Sequence, residues 1–251
     1  MRTVVVGAST GLGRCIGIGL ARRGAQVALL ARRRELLADA AKEAGSDALA
    51  ITCDVTDEAA CQAAVDRAVG GLGGIDAVVY AAGIGVLSPI EKLDAAAWNR
   101  CFATNVTGAA TFTAAALPHL RRSRGAVAYL TSTSASVTQP WPGLAAYAAS
   151  KAALDKMVEA WRAEHADIGF TRVIVGECPG GEGHGVTHFM DDFDQELAAK
   201  LIPVWMARGL MASTLLDVED LVGVIDGVLR AGASASVPSV AVLPRQPRLE
   251  I

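Results

Sequence analysis

A tyrosine and a lysine four residues apart, in Tyr147-Ala148-Ala149-Ser150-Lys151, are the pair in this chain best suited to chemistry. A helical pattern leads out of them through Leu154, Met157, Val158 and Trp161. On a helix, positions four apart lie one above the other, so the phenol and the ammonium share a face. A free phenol titrates near pH 10 and is a poor acid or base at neutrality. A cation held about 4 Å away is worth roughly 4 kcal/mol at an effective dielectric of about 20, or about 3 pK units. That would poise the tyrosine for proton transfer near pH 7. An amphipathic surface helix that happens to carry both residues is the competing reading, and the elements around the pair decide between them.

Those elements are short apolar runs alternating with helical patterns from end to end, the mark of a parallel sheet flanked by helices. Strands are expected at 3–6, 26–31, 48–52, 77–80, 127–131, 171–175 and 239–243. Helices should begin near Leu12, Arg34, Asp57, Asp94, Tyr147 and Val218. The fold class is therefore α/β, a doubly wound Rossmann-type parallel sheet of about seven strands with helices on both faces. No linker or repeat interrupts it, so 1–251 is expected to form one domain.

The first strand runs into Gly7-Ala8-Ser9-Thr10-Gly11-Leu12-Gly13 and then directly into a helix. Glycines there permit a tight turn and let the backbone approach a diphosphate seated on the positive helix N-terminus. After the second strand come Arg32, Arg33 and Arg34, where a carboxylate would accept from the 2′-hydroxyl of NAD; an arginine can instead pair with a 2′-phosphate. Asp54 and Val55 follow the third strand, placed either beside an adenine or at a helix start. The fourth strand ends in Tyr80-Ala81-Ala82-Gly83, another turn at the carboxyl edge where ligands bind in such sheets. Asn105 falls mid-helix among small residues and needs partners if buried. The hydroxyl cluster Thr131 to Ser136 closes the fifth strand.

Composition narrows the classes. The chain has 251 residues and a net charge of −3, which gives no basic footprint for nucleic acid. No apolar run reaches the eighteen or so residues of a membrane span. Val4-Val5-Val6 passes straight into the glycine turn, unlike a signal peptide. Five scattered cysteines without a Cys-x-x-Cys pair suit a reduced, cytoplasmic protein. His184 and His188 lie four apart, but Gly183 and Gly185 argue against a ligating helix, and no metal site is expected.

From Thr3 to about Gly180 the chain resembles the short-chain dehydrogenase/reductase family, in its branch of about 250 residues. The resemblance rests on the Gly7/Gly11/Gly13 spacing and on Tyr147-x-x-x-Lys151 at the expected distance from it. It implies an oxidoreductase that interconverts an alcohol and a carbonyl by hydride transfer. Tyr147 would be the acid/base, Lys151 would lower its pKa and hold the nicotinamide ribose, and Asn105 would hold a water in a proton relay. A serine should hydrogen-bond the substrate oxygen. The family's usual thirteen-residue spacing to the tyrosine selects Ser134, the preferred candidate, whereas counting forward from Gly125 selects Ser132.

The cofactor is expected to be NADP(H) in preference to NAD(H), held by Gly7, Ser9, Thr10, Gly11, Leu12, Gly13, Arg32, Asp54, Val55, Ala81, Ala82, Gly83, Tyr147, Lys151, Pro179 and Gly180. The substrate should be a small apolar alcohol or carbonyl compound, covered by a mobile segment at 181–211. A homodimer or homotetramer is expected, with Met157 and Trp161 adding apolar surface. Three departures stand out. Tyr80-Ala81-Ala82-Gly83 lacks both amides of the family's Asn-Asn-Ala-Gly. The threonine expected soon after Pro179-Gly180 is missing, with Thr187 the nearest. Leu243 to Pro247 replaces a glycine pair. Two other readings stay open: a catalytically idle NADP(H)-binding regulator, and a sugar-nucleotide dehydratase or epimerase.

Overall fold

In a computed structural model, which describes residues 1–246, seven parallel strands form one sheet in the order β3-β2-β1-β4-β5-β6-β7. They are β1 (Arg2–Val6), β2 (Gln26–Ala31), β3 (Leu49–Thr52), β4 (Ala77–Tyr80), β5 (Ala126–Ser132), β6 (Gly169–Val175) and β7 (Ser239–Val242). Pro247, the end of the segment replacing the family's glycine pair, lies outside the described residues. The chain order reverses between β1 and β4, and the crevice at the carboxyl ends of these two strands is where a doubly wound sheet binds ligands.

Strand alternation builds the two faces. Val4 and Val6 of β1, Ala28 and Leu30 of β2, and Val127 and Tyr129 of β5 point to one side. There they meet helices α3 (Glu58–Leu72), α5 (Gly108–Ser123) and α7 (Ala145–Glu164). Val5, Leu29, Val79 and Leu130 point to the other side, against α1 (Gly11–Arg22), α2 (Arg34–Ala44) and α9 (Val218–Leu229). The central strands, buried on both faces, are predominantly apolar, as parallel strands usually are.

Two expectations change. The helix from Asp94 is not continuous: α4 (Ala95–Phe102) joins α5 through a π-helical turn at Ala103–Thr107, and Asn105 sits in that turn. The irregular stretch contains a helix, α8 (Gln195–Ala207), capped by Asp194, which accepts from the N–H groups of Glu196 and Leu197. A third apolar cluster forms beneath it from Leu87, Leu144, Phe193, Ala198 and Trp205. Met157 and Trp161 pack against the core while staying partly exposed, Trp161 lying nearly parallel to Phe170 with centroids 6.0 Å apart.

Candidate active site

The glycine turn after β1 is built for a backbone approach. A Cβ on Gly13 would lie 2.2 Å from the Gly7 carbonyl oxygen, and one on Gly7 would lie 2.6 Å from the Ala82 nitrogen. The turn after β1 thus nests against the turn after β4, and no side chain fits between them. Thr10 ends the turn as an N-cap whose side chain makes no cap hydrogen bond, leaving the first N–H groups of α1 to face the cleft. The cleft beyond measures about 710 Å³. Gly7, Ser9, Thr10, Gly11, Leu12 and Gly13 line it with Arg32, Asp54, Val55, Ala81, Ala82, Gly83 and Pro179. Ser132, Ser134, Tyr147 and Lys151 line its other end. Gly180 is set just behind, bridged to Val186.

The first two of the three arginines make different contacts. Arg32 is 67% exposed and leans towards Asp54, at 3.9 Å. Arg33 turns back over the glycine turn and donates to the Ser9 hydroxyl at 3.2 Å and to the Thr10 hydroxyl. Arg33 is also the extended residue that precedes α2, exposed like Arg32 but with its guanidinium resting on the glycine turn. Asp54 serves neither as a helix cap nor as a free acid: its carboxylate accepts from the Thr56 backbone and hydroxyl, which, together with Arg32, holds it below its ordinary pKa. The cap of α3 is Asp57.

Pro179-Gly180 opens a tight hairpin in which Thr187 N–H donates to the Pro179 carbonyl at 2.8 Å. This returns Thr187 to the glycine turn, its Cα 3.4 Å from where a Gly11 Cβ would be. Thr187, the threonine nearest after Pro179-Gly180, thus lines the same cleft.

Tyr80 stands where the first amide of the family's β4 turn is absent. Its buried phenol donates to the Thr104 carbonyl at 2.7 Å, satisfying a backbone group in the π turn. Asn105 is wholly buried and its amide is committed: Oδ1 accepts from Ile84 N–H, and Nδ2 donates to the Ile84 carbonyl and the Ser150 hydroxyl, each at 2.9 Å. Ser150 in turn donates to the Tyr147 carbonyl at 2.7 Å. Both amide hydrogens being used, the side chain could hold a water only through Oδ1. Asn105 staples the β4 turn to the helix that carries Tyr147.

Tyr147 and Lys151 share one face of α7, but not as the spacing alone implies. Lys151 Nζ reaches past the ring, 5.8 Å from its centroid, to donate to the Leu130 carbonyl at 2.8 Å. The aromatic ring of Phe189 lies over Tyr147 from the other side. Burial pushes the Tyr147 phenol up to about 12, opposed by Ser132, and pulls Lys151 down to about 8. Desolvation disfavours the charged form of each, and at this separation it outweighs the attraction anticipated at about 4 Å. The lowered phenol expected from the spacing is therefore not what this geometry gives.

The serines are coupled. Ser132 Oγ lies 3.0 Å from Ser134 Oγ and accepts from the Ser134 N–H at 3.3 Å. Both serines line the cleft beside Tyr147, and Ser132 acts to lower the phenol's pKa against the effect of burial.

A glycine turn at the switch point, an arginine over its hydroxyls and a Tyr–Lys pair thus share one cleft. The chain belongs to the short-chain dehydrogenase family, whose model matches residues 2–182. It is 36% identical over 179 residues to "11-beta-hydroxysteroid dehydrogenase A" of Sesamum indicum, covering 69% of this chain and 51% of that protein. The chain spans about half the length of the first curated relatives it matches. A short-chain type dehydrogenase/reductase from Mycobacterium marinum superposes with a TM-score of 0.82 at 26% identity, covering 96% of this chain and 93% of that one. A 3-ketoacyl-(acyl-carrier-protein) reductase from Brucella melitensis, complexed with NADH, gives 0.79 at 25% identity over 96% of each chain. No helix among the described residues is long and apolar enough to cross a membrane.

Proposed function

We propose that the protein is an NADP(H)-dependent reductase that converts an apolar carbonyl compound to its alcohol, acting in the cytoplasm. The observation that carries this is the shared cleft: Tyr147 and Lys151 face the same space as the Gly7–Gly13 turn and Arg33. The turn and the α1 N-terminus would hold the diphosphate, Arg33 with Ser9 and Thr10 the 2′-phosphate, and Lys151 the nicotinamide ribose. The cofactor supplies the hydride. Tyr147 supplies the proton, and a phenol held near 12 stays protonated at neutral pH, which suits reduction better than alcohol oxidation. Ser132 orients the carbonyl oxygen, and Ser134 and Asn105 hold Ser132 and α7 in place.

The substrate end is lined by Trp141, Leu144, Phe189, Met190, Phe193 and Trp205, which favour an apolar compound and exclude water from the transfer. The segment 181–211 covers it as part of the same domain and moves to admit substrate. The protein assembles as a dimer or tetramer; a monomer by light scattering at micromolar concentration would refute that part. For the chemistry, Tyr147→Phe tested with NADPH and a carbonyl panel should lose at least about a hundredfold in kcat with cofactor affinity nearly unchanged. Turnover close to wild type in that variant would sink the mechanism.

A further inference from the structure

Four residues stand at successive turns on one face of α7: Tyr147, Lys151, Asp155 and Glu159. They run from the cleft outward, the phenol followed by one cation, Lys151, and then two carboxylates. Arg172 of β6 closes the outer end, its Nη1 3.2 Å from Glu159 Oε1 and 4.0 Å from Asp155 Oδ2. Asp155 is the member without an evident structural purpose. Its residue is 5% exposed, and neither carboxylate oxygen has a hydrogen-bond partner. The hydroxyls of Thr131 on β5 and Ser136 lie near enough to favour the carboxylate, yet neither meets it at hydrogen-bonding length. Arg172 is no better matched, since its Nε is also buried without a partner.

Burying a carboxylate this incompletely satisfied is costly, and a neutral residue of the same size would fold better. The group facing it from the catalytic side is Lys151, whose Nζ makes one hydrogen bond, to Leu130. We propose that Asp155 is a positioning residue that keeps Lys151 an ammonium beneath Tyr147, acting through charge without touching substrate or cofactor. The inference rests on Tyr147 and Lys151 as the reacting pair. The facing charges are few: Lys151 sees Asp155 and the Tyr147 ring, and Asp155 sees Lys151 and Arg172. Burial drives Lys151 towards its neutral form, and Asp155 is the one charge that opposes it. A neutral Lys151 would offer the developing phenolate no counter-charge.

The chain has only five lysines, so the Cε resonances of protein labelled with [13C]lysine can be followed individually against pH, with Lys151 assigned by its disappearance in Lys151→Arg. Wild type should titrate at about 8 at this position. Asp155→Asn keeps the shape and removes the charge, and should lower the midpoint by about one pH unit or more. Asp155→Ser makes the same measurement if the amide does not fold. The alkaline fall in kcat for carbonyl reduction should move down by the same interval, and Asp155→Glu should restore part of it. Equal midpoints in wild type and variant, with kcat lowered uniformly at every pH, would reduce Asp155 to a structural residue and overturn the proposal. A wild-type midpoint well below 7 would overturn it without any variant. The resonance reads Lys151 whether or not the protein turns over, so absence of reductase activity would defeat the proposed function while leaving this inference tested.

Discussion

Phe189 lies across Tyr147, their ring centroids 4.7 Å apart and their planes inclined at 57°. The same ring presses on the turn after β4: a Cβ on Gly85 would come within 2.5 Å of two of its carbons. Phe193 meets it edge-on at 5.2 Å. Phe189 therefore fills the space beside the phenol, and a carbonyl reduced as proposed would have to displace it or fit what it leaves. Phe189→Ala should raise kcat/KM for a bulky aryl ketone relative to a small one by at least about tenfold, in line with about 1–3 kcal/mol for a changed pocket contact. An unchanged ratio across a ketone series would show that the ring does not set the size limit.

On the proposed function, cofactor choice would turn on Arg33. Arg32 is the residue nearest the position of the absent carboxylate, but it is exposed and drawn to Asp54, while Arg33 already rests on the Ser9 and Thr10 hydroxyls. A charge-assisted contact is worth roughly 1.5–3 kcal/mol, or about ten- to a hundredfold in affinity. NADPH should bind at least about tenfold more tightly than NADH, and Arg33→Ala should remove most of that difference by weakening NADPH alone. Arg32→Ala should change the ratio by less than about threefold, within ordinary surface electrostatics. Calorimetric titration of both cofactors checks this, and a larger effect at Arg32 would return the role to it.

Lys151 ties stability to pH. Its folded-state pKa of about 8 lies below the ordinary 10.5, so holding it charged costs about 3 kcal/mol. The penalty is fully present below pH 8 and disappears as pH rises from there to 10.5, because over that interval the unfolded chain binds the proton and the folded one does not. Lys151→Met removes the penalty along with the bond to Leu130, so at pH 7 it should be at least as stable as wild type while losing activity. Its advantage should shrink steadily between pH 8 and 10.5 in urea-denaturation series at each pH. An advantage that grows over that interval would contradict the assignment of a buried, charged lysine.

The strands were legible because each is an apolar run closed by a turn, and β2 and β4 begin and end where the sequence places them. Helix starts were legible through their caps, Asp57 and Asp94. The helix α8 was hidden by Pro203 within it, although Asp194 followed by Leu197, Leu201 and Trp205 at four-residue intervals is a readable signal. Adjacent residues such as Arg32 and Arg33 cannot be ranked from a sequence, because the backbone direction at the start of α2 decides which one rests on the glycine turn. The covering of Tyr147 by Phe189 is likewise a contact between distant segments, with no local pattern to announce it. Spacing put Tyr147 and Lys151 on one face; it could not show that Lys151 would find the Leu130 carbonyl.

The two serines separate by what each touches. Ser132 ends β5 in extended conformation and points its hydroxyl at the Tyr147 side of the cleft, where it favours the ionised phenol. Ser134 is 4% exposed, and both its N–H and its hydroxyl are engaged with Ser132 Oγ. If Ser132 orients the substrate as proposed, fifteen residues separate that serine from Tyr147 instead of the family's thirteen. A donor aimed at charge developing on the substrate oxygen is worth about a hundred- to a thousandfold in kcat. Ser132→Ala should therefore lower kcat by at least about a hundredfold with KM little changed. Ser134→Ala loses only a support for Ser132 and should cost about tenfold or less, as neighbours that orient a reacting group without touching substrate do. The two variants, assayed side by side at saturating NADPH, decide the assignment: greater damage from Ser134→Ala would restore the thirteen-residue count and pass the role to Ser134.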